Sequence, residues 1–337
     1  MATVHYYNRA FDCAEGQTIL DVLLENGQDI PYSCKMGVCV TCIMQVEAGD
    51  VPKNSQDGLR DALIAQGHFL PCVCEPQNDV HITKIEDQDL YSPAVVQQID
   101  QITNDVCRIF LKPTTPLYYH AGQFINLRRE DGLSRSYSLA SVPSKDERLE
   151  FHIKRLARGE MSNWLLDDLK VGDHLGLQGP IGNCFYHPGR PDQNMLLIGN
   201  GNGLAPLIGI ARDALSSGHS GAIKLYHGSR TLAGLYLSEE LRVLESEHDN
   251  FEFTPCISLE PSPEGYRQGR ANDIAFSELA DLKEWRVFLC GYPPMVHSAK
   301  DRALAIGASM ADIYTDPYEL KDLRKEPRSE KDLNLNG

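Results

Sequence analysis

The chain has no run of eighteen apolar residues, the length a bilayer-spanning helix needs, so no membrane span is expected. Its first residues, Met1-Ala-Thr-Val-His-Tyr-Tyr7, do not pair a basic segment with an apolar one, and no secretory signal is read there. Positive charge is scarce: 32 Lys and Arg face 47 Asp and Glu, a net charge of −15 that argues against a nucleic-acid partner. No H-x-x-H or E-x-x-H set points to a mononuclear or di-iron centre, which argues against a stand-alone oxygenase. Internal repeats are missing, and the only biased tract is the charged stretch 319–337, expected to be a tail without fixed structure. Cysteine, by contrast, is plentiful. Ten cysteines without a secretory signal indicate a reducing compartment in which thiols serve as metal ligands or lie buried, and the expected location is cytoplasmic.

Three of these thiols stand close together as Cys34-Lys-Met-Gly37-Val-Cys39-Val-Thr-Cys42, with Cys72 thirty residues beyond. The C-x4-C-x2-C spacing with a distant fourth cysteine is the plant-type pattern for a [2Fe–2S] cluster. Three thiolates within nine residues let one loop wrap around two irons, and the distant one closes the cage. Gly37 lets backbone approach the sulfides, and amides of such a loop can point at sulfur and set the potential. The competing readings are zinc, a disulfide pair and buried free thiols. Zinc sites favour two C-x2–4-C knuckles, and Cys72-Val-Cys74 is C-x-C, so a zinc ribbon fits poorly.

Around this loop, residues 1–90 alternate strand and helix signals. Thr18-Ile-Leu-Asp21 reads as a capping box opening a helix that Gly27 closes. Residues 85–92 are acidic and lead to Pro93, a plausible linker. Residues 91–190 read as many short strands, among them 106–112, 135–140 and 149–154, which suggests a β-barrel. Two stretches there carry chemistry. Arg135-Ser136-Tyr137-Ser138 places an arginine and a tyrosine on one face of a strand, suited to phosphate and to a flat ring. Arg158-Gly159-Glu-Met161-Ser162 leads into a helix expected over 162–169, where backbone amides suit a pyrophosphate. Residues 191–318 alternate strands and helices, as a parallel α/β sheet does. Gly199-Asn-Gly201-Asn-Gly203-Leu-Ala-Pro206 follows a buried strand and enters a helix, an arrangement suited to a dinucleotide phosphate. Arg230 ends the second strand of that region, and Cys290-Gly291-Tyr-Pro-Pro-Met295 ends another.

The order of these motifs carries a resemblance. Residues 1–90 look like a plant-type ferredoxin, in which the fourth ligand sits in an L-x-C segment, here Leu70-Pro-Cys72; this favours Cys72 over Cys74. R-x-Y-S, G-x-x-S and C-G-x-P-P-M in that order resemble the ferredoxin–NADP reductase superfamily, as does His120-Ala-Gly122-Gln-Phe124. The fold implied is multidomain α+β and α/β: a β-grasp ferredoxin domain (1–90), an antiparallel flavin-binding β-barrel (91–190), a parallel α/β nucleotide-binding domain (191–318) and the tail (319–337). The resemblance implies an FAD site. Arg135 would bind the flavin phosphate, Tyr137 would lie on the ring, Ser138 near flavin N5, and Gly159, Met161 and Ser162 at the pyrophosphate, with Ser136 also among the cofactor-binding residues. It also implies a nicotinamide site with Gly199, Gly201, Gly203, Cys290 and Gly291, and Tyr318 as the terminal aromatic residue beside the flavin. Asn200 and Asn202 depart from the family's G-G-G-T-G. Arg230 could pair with a 2′-phosphate, but the loop adds no second base, so NADH is expected, with NADPH possible. The whole resembles the reductase component of bacterial multicomponent oxygenases. Tyr137, Ser138 and Cys290 are then the expected catalytic residues. Cys34, Cys39, Cys42 and Cys72 would hold the cluster, and a terminal oxygenase component or a separate ferredoxin would be the acceptor. A reductase serving a deoxysugar dehydrase shares the build, and a redox sensor that does not turn over is a remoter alternative.

Overall fold

The structure, a computed structural model, describes residues 2–59, 61–85 and 90–318. The expected tail 319–337 and residues 86–89 of the expected linker lie outside the described residues. Packing divides the chain into two units. One joins Met1–Pro93 with Asn126–Ser136 and Leu175–Ile181; the other holds Ala94–Ile125, Tyr137–His174 and the chain from Gly182 onward.

Within the first unit, strands β1 (Ala2–Tyr6), β2 (Arg9–Cys13), β3 (Met44–Ala48), β4 (His68–Phe69) and β5 (Val80–Lys84) form a mixed sheet in the order β2-β1-β5-β3-β4. Helix α1 (Ile19–Glu25) starts where the capping box places it: the Thr18 hydroxyl accepts the Asp21 amide at 3.2 Å. Gly27, with φ of 72°, ends it. Its Ile19, Leu20 and Leu23 are fully buried against Phe69, Leu70 and Ile82. Helix α2 (Asp61–Ala65) lies between β3 and β4 in sequence. The result is the expected β-grasp arrangement.

Strands β6 (Ser92–Gln101), β7 (Val106–Pro113), β8 (Phe124–Arg128), β9 (Ser134–Ser138), β10 (Leu149–Lys154) and β11 (His174–Ile181) are ordered β10-β7-β6-β11-β8-β9. The β6/β7 and β7/β10 pairs are antiparallel. An antiparallel bridge from Leu139, just past β9, to Phe151 of β10 joins the two ends of that order, closing it as a barrel. The expected helix over 162–169 begins earlier: α3 spans Glu160–Asp167, with Gly159 at its N-cap, so Ser162 lies inside its first turn.

The second unit also contains a fully parallel sheet of β12 (Met195–Asn200), β13 (Ile223–Ser229), β14 (Phe251–Ile257), β15 (Arg267–Gln268), β16 (Arg286–Gly291) and β17 (Ile313–Pro317). Its order is β15-β14-β13-β12-β16-β17. Leu197 belongs to one apolar core and its neighbours Leu196 and Ile198 to another, so β12 is buried on both faces, as parallel strands are. Helices α4 (Leu204–Ser216), α5 (Ser238–Glu247), α6 (Ala271–Glu278) and α7 (Pro293–Ala305) accompany it. The order reverses direction at β12, next to β16, which is where open α/β sheets bind ligands beyond the strand ends.

Candidate functional site

Cys34, Cys39, Cys42 and Cys72 are all buried, the most accessible at 8%. The loop bends to bring them in. Lys35, Gly37 and Val40 take φ of 53°, 74° and 59°, and at a β-branched residue such as Val40 this conformation is costly. The bend turns amides inward: those of Met36, Val38 and Cys39 donate to the Cys34 sulfur at 3.3–3.4 Å, and the Thr41 hydroxyl donates to the Cys39 sulfur at 3.2 Å. The thiols face each other as two pairs, Cys34 with Cys39 and Cys42 with Cys72. Hydrogen bonding from the Cys39 thiol, and then from the three amides, brings Cys34 down to about 5 against the cost of burial. Cys72 is likewise lowered, first by the Cys42 thiol and then, after the opposing cost of burial, by the Gly37 amide. Two facing pairs with inward amides suit two irons taking two thiolates each. Cys74 is oriented differently: it is fully buried, hydrogen-bonds with Ser55, and is pushed up to about 12 by burial.

Strand β9 carries Arg135, Ser136, Tyr137 and Ser138. The Ser136 hydroxyl donates to Asn126 Oδ1 at 2.6 Å, and Asn126 Nδ2 donates to the Cys39 carbonyl and to Gln178 Oε1, both at 2.7 Å. These four residues lie in the first unit. Arg135 donates to the Ser134 carbonyl at 2.9 Å.

In the second unit, Ser138 is brought to the end of the chain. Its hydroxyl donates to Asp316 at 2.8 Å and accepts from the Tyr318 hydroxyl at 3.2 Å, which also lies 3.3 Å from the Asn202 carbonyl. Asp316 pairs in register with Cys290, and the Tyr318 amide donates to the Gly291 carbonyl at 2.7 Å. Burial raises Asp316 to about 6, opposed by the Ser138 hydrogen bond. Cys290 is fully buried with its sulfur 3.7 Å from that of Cys184.

The glycine loop meets the same strand end. A Cβ on Gly203 would lie 2.2 Å from the Cys290 carbonyl, and one on Gly199 would lie 2.7 Å from Leu207. Gly201 has φ of 49° and lies by the Lys154 amine. The two departures from the family pattern have local explanations. Asn200 accepts the Tyr292 amide at 2.9 Å in space that only a glycine at 291 leaves open. Asn202 donates to the His152 carbonyl at 2.6 Å and accepts the Tyr236 hydroxyl at 3.3 Å. Tyr236 also meets His152, whose other ring nitrogen is 2.9 Å from Glu150. Gly159 could bear no side chain either, since a Cβ there would lie 2.3 Å from the Ser162 hydroxyl; that hydroxyl caps the turn by accepting the Leu156 amide. Met161 and Ser162 are buried beside it. Arg230 closes the turn after β13, its carbonyl accepting the Leu259 and Glu260 amides, while Glu260 accepts the Leu232 amide at 3.0 Å.

Sequence reasoning did not single out Asp316 or Lys154 as site residues, nor Asn126 at all. The signal available for Asp316 was its place two residues before Tyr318, the terminal aromatic residue; Asn126 left none.

Three family models match in chain order. They are a 2Fe-2S iron-sulfur cluster binding domain at residues 3–77, an oxidoreductase FAD-binding domain at 93–186 and an oxidoreductase NAD-binding domain at 197–301. The reductase subunit of an aromatic O-demethylase from Amycolatopsis sp. is 37% identical over 306 residues, 86% of this chain and 90% of that one. This chain belongs to the same family of iron–sulfur flavoprotein reductases. A ferredoxin–NAD(P)+ reductase component of naphthalene 1,2-dioxygenase/salicylate 5-hydroxylase systems from Ralstonia sp. is 32% identical, with 92% and 96% of the two chains covered. Among solved structures, an Amycolatopsis cytochrome P450 reductase matches this reductase with a TM-score of 0.67 and 34% identity, covering 94% of this chain and 98% of that one. The ferredoxin reductase of a carbazole 1,9a-dioxygenase matches with 0.64 and 27%, at the same coverage. The reductase therefore takes a [2Fe–2S] cluster, FAD and a nicotinamide dinucleotide, and is an NAD(P)H-dependent flavin iron–sulfur oxidoreductase. No helix among its described residues is long and apolar enough to cross a membrane.

Proposed function

We propose that this reductase draws electron pairs from NADH and delivers them singly to an oxygenase component or to a separate ferredoxin. The observation that carries the reading is the convergence of Ser138, Asp316, Tyr318, Cys290 and the glycine loop at one end of β16. A bound flavin would supply the chemistry that joins a two-electron hydride donor to a one-electron cluster. The chain's own residues do the rest. Arg135 and the Gly159–Ser162 turn bind flavin phosphates, Ser136 belongs to the same cofactor-binding strand, and Tyr137 lies against the ring. Ser138 orients the reacting edge and is itself held by its hydrogen bond to Asp316. Gly199, Gly201, Gly203, Arg230, Cys290 and Gly291 receive the dinucleotide, and Tyr318 covers the flavin. Cys34, Cys39, Cys42 and Cys72 hold the exit cluster. The three-domain division at 1–90, 91–190 and 191–318 is supported by the three matched models, which fall inside those limits.

NADH is the assigned donor, because the loop at Arg230 brings in the carboxylate of Glu260 rather than a second base, and an acid there favours a free ribose hydroxyl over a phosphate. The named relatives serve demethylase and dioxygenase systems, which supports an oxygenase as acceptor. Exposed Met36 and Val38, at 45% and 52%, lie in the cluster loop itself and give such a partner an apolar seat. None of the ten cysteines is joined in a disulfide, which supports a cytoplasmic location.

An anaerobic NADH titration followed by visible absorbance and electron paramagnetic resonance tests the assignment. Flavin bleaching followed by the signal of a reduced [2Fe–2S] cluster is expected. Bleaching without that signal, in protein that contains iron, would remove the cluster from the path.

A further inference from the structure

Asn126 is fully buried in β8, and every polar hydrogen of its side-chain amide is used: one bond to the Cys39 carbonyl and one to Gln178, while its oxygen accepts Ser136. Its bond to Cys39 spans 87 residues of sequence. Cys39 is thereby fixed at three points: its amide donates to the Cys34 sulfur, its sulfur accepts the Thr41 hydroxyl, and its carbonyl accepts Asn126. The peptide so held is the one leading into Val40, the β-branched residue at φ of 59°. Left alone, that peptide would relax toward an ordinary conformation. Asn126 holds it in place and, through Ser136, ties it to β9.

We infer that Asn126 is a positioning residue for electron transfer, holding the peptide of a cluster ligand in a two-hydrogen-bond connection to the flavin-binding strand. The inference rests on the reading of β9 as that strand. In the step concerned, FAD reduced by NADH would supply one electron and one ferric ion of the cluster would become ferrous; NADH supplies both electrons, so no further reductant is required. Asn126 neither accepts the electron nor touches the thiolates. It sets where Cys39 sits.

The test uses the full-length holoprotein in anaerobic stopped flow with NADH, with the cluster's midpoint potential and iron content measured alongside. Asn126→Leu keeps the size of the side chain and removes the bond to the Cys39 carbonyl without adding a charge. Flavin bleaching should keep its rate and the potential should stay put. Cluster reduction should slow by roughly tenfold or more, as misplacement of a reacting pair does. Gln178→Leu, which leaves the Cys39 bond in place, should reduce its cluster at the normal rate. Normal cluster reduction in Asn126→Leu overturns the inference, as does a slowing matched by a shifted potential, or an equal slowing in Gln178→Leu. If Asn126→Leu fails to load iron, Asn126→Ser carries the same expectations; loss of iron from both, with flavin retained, makes Asn126 a support of the cage and overturns the electron-transfer role. Failure of NADH to bleach flavin in the unmodified protein would instead count against the assignment of the flavin and nicotinamide sites.

Discussion

At Asp316 a carboxyl raised to about 6 sits one hydrogen bond from Ser138. Its ordinary value is near 4. Between those values the folded protein holds a proton that the unfolded chain releases. The group's contribution to stability is therefore fully present below pH about 4 and is lost as pH rises through 6. The melting temperature of the native protein should fall relative to that of Asp316→Asn across this window; a difference that stays flat with pH would remove the assigned shift. The cluster ligands permit a sharper contrast. Cys72→Ser should abolish the iron–sulfur absorbance while NADH still reduces the flavin, and Cys74→Ser should keep that absorbance, since Cys74 is turned to Ser55 rather than to Cys42. If Cys74→Ser alone loses it, the ligand assignment is wrong. The four cysteines were legible in the sequence because their spacing is a local property of the loop. Asn126 was not, because an asparagine inside an apolar strand acquires meaning only when folding brings the Cys39 carbonyl to it.

The turn between β12 and α4 shows what an element demands of its sequence. Gly203 leaves room for the Cys290 carbonyl where a Cβ would come within 2.2 Å of it, and that neighbour is backbone in a central strand, unable to step aside. Gly203→Ala should destabilise the protein by about 1–3 kcal/mol, the usual cost of overpacking, or more if β16 shifts. Chemical denaturation checks the figure, and a cost under 0.5 kcal/mol would mean that the strand end yields. The glycine run was readable as a strand-to-helix turn. Its accommodation of Asn200 and Asn202 was not, because both depend on distant partners: Gly291 opposite the first, and His152 and Tyr236 around the second. The start of α3 was misplaced by two residues for a similar reason. Ser162 resembles an N-cap in sequence, yet its hydroxyl folds back on the turn before the helix, and Gly159 caps instead.

Charge acts over the whole molecule. Residues 1–90 hold fourteen acids against five bases, while residues 91–190 are nearly balanced with eleven against twelve. A field of that sign around the cluster-bearing stretch attracts a basic docking face and is screened by salt. Electron delivery to a basic protein acceptor such as cytochrome c should slow by roughly tenfold between low and high ionic strength. Flavin reduction by NADH, which needs no protein encounter, should change far less; equal salt dependence of the two would remove the steering. The three segments and their order were legible because each carries its own motif. The grouping of Asn126–Ser136 and Leu175–Ile181 with the N-terminal part was hidden, since no motif marks it. That grouping has a consequence for biosynthesis. The last stretch of the first unit leaves the ribosome about ninety residues after Pro93, a delay on the order of 5–20 s at ordinary elongation rates. All four cluster cysteines, and the whole five-stranded sheet and core around them, therefore leave the ribosome before Asn126 and Gln178 do, so the sheet can form and take up iron and sulfide before the Cys39 carbonyl meets its partner.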